Sequence, residues 1–62
     1  MSFTVKQARL HADKTQQDMA DILGVPVQTS RKIEEHPERA TIEQAKKISD
    51  STGIPYDEII FI

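Results

Sequence analysis

The sequence contains no cysteine, so neither a disulfide framework nor a thiolate metal centre is available to hold it together. It has no tryptophan, one tyrosine and two phenylalanines, which leaves a core of aliphatic side chains. Two glycines and three prolines are too few for a flexible linker or a low-complexity stretch. The longest apolar run, Ile59 to Ile62, is far short of the roughly 20 residues needed to cross a membrane. No charged start followed by an apolar stretch reads as a signal peptide. A phosphate loop, a nucleophile elbow and a His-paired nucleophile are all missing. His11 and His36 stand far apart with no ligand pattern around them, so no metal or other cofactor is expected. Glu34 and Glu35 are adjacent and point to different sides of a helix, which excludes a catalytic carboxylate pair. The expectation is a cytoplasmic protein that is not an enzyme and makes no contact with membranes.

What is present fits a small all-α protein. At 62 residues there is room for one domain, which buries only about 60% of the surface its unfolded form exposes. Local packing between short helices is the efficient solution. Charged residues make up 29% and hydrophobic residues 37%, a globular balance. The net charge of −2 is unevenly divided. Residues 1–32 carry Lys6, Arg9, Lys14, Arg31 and Lys32 against three acidic side chains, whereas residues 33–62 carry three basic side chains against seven acidic ones. Attraction to phosphate depends on the local face, so the first half is the one suited to nucleic acid.

Five short helical segments are legible from their punctuation. The first spans about Thr4 to His11 and ends near Asp13, a residue type that tolerates left-handed backbone angles. The second opens at Thr15, an N-cap paired with Asp18, and closes at Gly24. Its inner stripe is Met19, Ala20 and Leu23. Pro26 opens the third, which stops near Glu35 before Pro37. Thr41 and Gln44 cap a fourth that closes at Gly53, with Ile42, Ala45 and Ile48 as its apolar stripe. Pro55 opens a short fifth helix carrying Ile59 and Ile60.

The informative stretch runs from Thr15 to Glu34: two helices of about two turns joined by a tight turn. Ala20 must be small where the helices cross, and Gly24 supplies the positive φ that turns the chain. Val25 and Ile33 seat the second of these helices. Val27, Gln28, Arg31 and Lys32 are left on its outside, with Thr29 beside them. A helix held in this way fits the major groove of DNA.

Here the sequence resembles the Cro/repressor (Xre-type) helix-turn-helix family of phage and bacterial regulators. The matching residues are Arg9, Thr15-Gln16, Met19-Ala20, Leu23-Gly24-Val25, Thr29 and Lys32-Ile33-Glu34, with Gly53-Ile54-Pro55-Tyr56-Asp57-Glu58-Ile59 resembling the end of these domains. Lys14, Pro26 and Ser30 depart from the family pattern. The resemblance implies one helix-turn-helix domain over residues 1–62, of the lambda-repressor-like type, with the motif at about residues 15–35. It also implies base contacts from Val27, Gln28 and Lys32 and phosphate contacts from Gln16, Gln17, Thr29 and Arg31. Arg9 and Glu34 would form a buried structural ion pair.

Phe61 and Ile62 are candidate contacts for a homodimer, since an apolar patch on a small domain marks an interface. The expected function is a Cro-like, phage or prophage regulator that occupies an operator in double-stranded DNA. The alternative is a helix-turn-helix protein-interaction module whose partner is another regulator protein. Net acidity, Pro26 and Ser30 favour that alternative.

Overall fold

Four α-helices follow from four local start signals, in a computed structural model that describes residues 2–61. The elements in order are β1 (Phe3–Thr4), α1 (Val5–His11), α2 (Gln16–Leu23), α3 (Val27–Glu35), a 3-10 turn at Pro37–Arg39, α4 (Ile42–Thr52), a second 3-10 turn at Tyr56–Glu58, and β2 (Ile59–Ile60). Thr4, Thr15 and Thr41 each accept a hydrogen bond from the backbone N–H three residues on, and Gln7, Asp18 and Gln44 return the bond to the cap N–H. Each reciprocal pair satisfies two backbone donors that a helix start leaves open. α3 starts differently. Pro26 has no side-chain cap, and its carbonyl receives the Thr29 and Ser30 N–H groups at 2.9 and 3.2 Å.

The helix ends are equally local in origin. Asp13 has φ 58° and sends the chain from α1 to α2. Gly24 lies at φ 69°, with the Val25 N–H on the Ala20 carbonyl at 3.1 Å, the closure of a Schellman turn. Gly53, at φ 73°, ends α4. The hydroxyls of Thr52 and Ser49 donate to the carbonyls of Ile48 and Ile54, at 2.7 and 2.6 Å. The Ile48 carbonyl also accepts from the Ser51 hydroxyl at 3.1 Å, so side-chain hydroxyls tie down the closing turn of α4.

α2 is the centre of the packing, lying mainly on α3 and next on α4. Ala20 is fully buried, which lets the backbones approach. The core is continuous through Val5, Ala8, Met19, Leu23, Ile33, Ile48, Ile54 and Ile59, with Phe3, Val25, Ala40 and Phe61 packed at its margin. Among the described residues no helix is long and apolar enough to cross a membrane.

Two details differ from the sequence expectation. The fifth helix is a single 3-10 turn, after which Ile59 and Ile60 run extended and pair in parallel with Phe3 and Thr4. Ile59 is buried and Ile60 exposed, the alternation of a strand. Two consecutive β-branched residues favour this backbone over another helical turn. Second, Ile42 does not join the inner stripe of α4 and is 71% exposed. At 3.6 residues per turn it lies about 120° round the helix from Ile48. The buried stripe is Ala45, Ile48 and Thr52.

Candidate nucleic-acid interface

α3 buries one side and presents the other. Ser30 and Ile33 face inward, and Glu34 is drawn in towards Arg9. Gln28, Thr29, Arg31, Lys32 and Glu35 are exposed, and Val27 is half-buried at the helix start. The hydrophobic residues hold the helix by one edge only, so five of its nine residues form a continuous polar face, two of them cationic and one acidic. Gln28, Thr29 and Lys32 have no side-chain hydrogen bond or ion pair among the described residues. They are free to meet a ligand.

The residues expected to meet phosphates are organised differently. Gln16, at the start of α2, is half-buried, and its Oε1 accepts from Arg31 Nε at 2.9 Å. This bond links the start of α2 to the middle of α3. Gln17 donates from Nε2 to Asp21 Oδ1 at 3.0 Å along its own helix. The Gln16–Arg31 pair stands between two open hollows. One is bounded by Lys14, Thr15, Gln17 and Val27, the other by Lys6, Glu34 and Glu35. Lys6 was not singled out in the sequence because it sits on α1, distant in the chain from the turn motif. Only the folded packing brings it beside Arg31.

A polar contact under this surface ties α3 to α1. Arg9 donates from Nε and Nη2 to the two oxygens of Glu34 at 3.1 and 3.3 Å, and from Nη1 to the Lys14 carbonyl at 2.9 Å. One guanidinium thereby joins α1, the α1–α2 turn and the end of α3. The Asp18 carboxyl in the α2 cap titrates below its ordinary value of 3.8. Its causes are the Thr15 backbone N–H first and the Thr15 hydroxyl second, with the nearby Lys14 charge adding less.

Ser30 is 99% covered, and its hydroxyl finds no hydrogen-bond partner among the described residues. At the C-terminal end, Phe61 is half-buried and stacks on Tyr56 with ring centroids 5.4 Å apart. Much of its surface is therefore used within the chain. Ile62, the other candidate dimer contact, lies outside the described residues.

A family model described as "Helix-turn-helix" matches residues 5–59 of this chain. No curated protein and no solved structure matches it.

Proposed function

The chain belongs to the helix-turn-helix family, and from that premise we propose that it is a sequence-specific, operator-binding regulator of transcription. The family match supports a DNA-binding regulator. The observation that carries the finer reading is the outer face of α3, where Gln28 and Lys32 stand exposed one turn apart with no partner of their own among the described residues.

α3 lies in the major groove. Gln28 pairs with an adenine edge, Lys32 reaches guanine acceptors, and Val27 meets a thymine methyl. Arg31, Thr29, Gln16 and Gln17 face phosphates and set the register without reading sequence. The Arg9–Glu34 pair is structural and holds α3 at its angle. No catalytic step is proposed, and the reading requires no second copy of the chain.

The test is selection of duplexes from a random library, followed by a Gln28→Ala/Lys32→Ala double variant. The expected outcome is loss of discrimination between selected and random duplexes, at about 1–3 kcal/mol per lost base contact, with residual salt-sensitive binding retained. A variant that keeps full discrimination would mean that α3 is not the reading element. A wild-type chain that enriches no sequence would favour the protein-interaction alternative.

A further inference from the structure

We infer that Gln16 is a positioning residue: it holds the Arg31 guanidinium so that its Nη1/Nη2 edge grips one DNA phosphate. This rests on the DNA-binding reading above and assigns separate roles to two residues grouped there as phosphate contacts. The guanidinium has five N–H donors in a planar fork. In the free protein the Nε–H is taken by Gln16 Oε1 at 2.9 Å, and the Nη1 and Nη2 donors have no partner among the described residues. With Nε held, the edge left open is the one formed by the two terminal nitrogens, which matches two phosphate oxygens bidentately.

The anchor is suited to this task. Gln16 is half-buried and sits in the first turn of α2, a helix fixed by its Thr15–Asp18 capping box. Arg31, by contrast, is exposed on a long side chain that would otherwise sample many rotamers. Ordering it before binding removes a cost from the bound state. Lys14 and Asp13 line one of the flanking hollows and Lys6 and Glu35 the other, where Glu34 is taken by Arg9. A cation and a carboxylate therefore balance on each side, and the charge at the grip is that of Arg31. Arg31 also follows Val27 by one helical turn on α3, so a phosphate held there fixes how deep the start of that helix can enter a groove.

A neutral positioning residue and a cationic ligand leave different signatures, and phosphate contact is independent of sequence, so a mixed-sequence duplex of about 20 base pairs serves as the probe. Binding is measured over a salt series for wild type, Gln16→Ala, Arg31→Ala and the double variant, with thermal melts confirming that each stays folded. Arg31→Ala is expected to lose about tenfold in affinity and to lower the slope of log K against log salt by about 0.9, one phosphate contact. Gln16→Ala is expected to lose about threefold with an unchanged slope, and to add no loss in the Arg31→Ala background.

The Arg31 Nε–H resonance of the free protein gives a DNA-independent reading: slow exchange in wild type and fast exchange in Gln16→Ala. Additive losses in a binding-competent wild type, or an Nε–H signal indifferent to Gln16, would overturn the positioning role and leave the DNA reading intact. A wild type with no salt-dependent binding to any duplex would overturn both.

Discussion

Arg9 on α1 and Glu34 at the end of α3 meet through two side-by-side N–H···O contacts of 3.1 and 3.3 Å, with both side chains less than a tenth exposed. The third donor direction of the guanidinium is used by the Lys14 carbonyl. A buried pair of this kind can be replaced by apolar residues at little cost, but loss of one partner strands the other charge.

Single variants at either position should therefore be severe. Arg9→Ala or Glu34→Ala is expected to cost about 3–5 kcal/mol, against a total of about 3–9 kcal/mol for a domain of this length. Circular dichroism melts should show both variants largely unfolded near 37 °C, and an Arg9→Met/Glu34→Leu pair should be more stable than either. A melting temperature within a few degrees of wild type for the single variants would contradict the assignment.

Ser30 gives a change of opposite sign. Its hydroxyl is buried without a partner among the described residues, and an unsatisfied polar atom costs about 1–3 kcal/mol. Ser30→Ala removes the atom with little change in volume. Chemical denaturation should show it more stable by about 1 kcal/mol, with DNA affinity unchanged because the residue faces away from the outer surface of α3.

Asp18 sets a pH dependence. Its folded pKa is lowered by the Thr15 N–H and hydroxyl, so the unfolded chain takes up the proton more readily. The stability from this cap is fully present above the ordinary value of 3.8 and is lost as pH falls towards the lowered value. Asp18→Asn should be less stable than wild type at neutral pH, and the gap should close in strong acid. Denaturant midpoints over a pH series check this. A gap that stays constant to about pH 2 would contradict the linkage.

The positions that were legible in the sequence are those whose cause is local. Thr15 with Asp18, Thr41 with Gln44, Asp13, Gly24 and Gly53 each act within a few residues. Thr4 and Gln7 carry the same spacing and cap α1 in the same way. The Arg9–Glu34 contact crosses 25 positions and was implied only through the family pattern. The β1–β2 pairing was not legible, because two residues at each end of the chain carry no periodic signal. The Gln16–Arg31 bond was also hidden: both residues read as surface donors, and only the close packing of α2 on α3 makes one the acceptor for the other.

Backbone amide chemical shifts, followed while mixed-sequence duplex DNA is added at low salt and then displaced by high salt, test most directly where DNA meets this chain. The account predicts salt-reversible shifts concentrated at Gln16, Gln17 and Val27 to Lys32, with α4 largely silent. Shifts confined to α4 and the C-terminal end, or none at all, would contradict it.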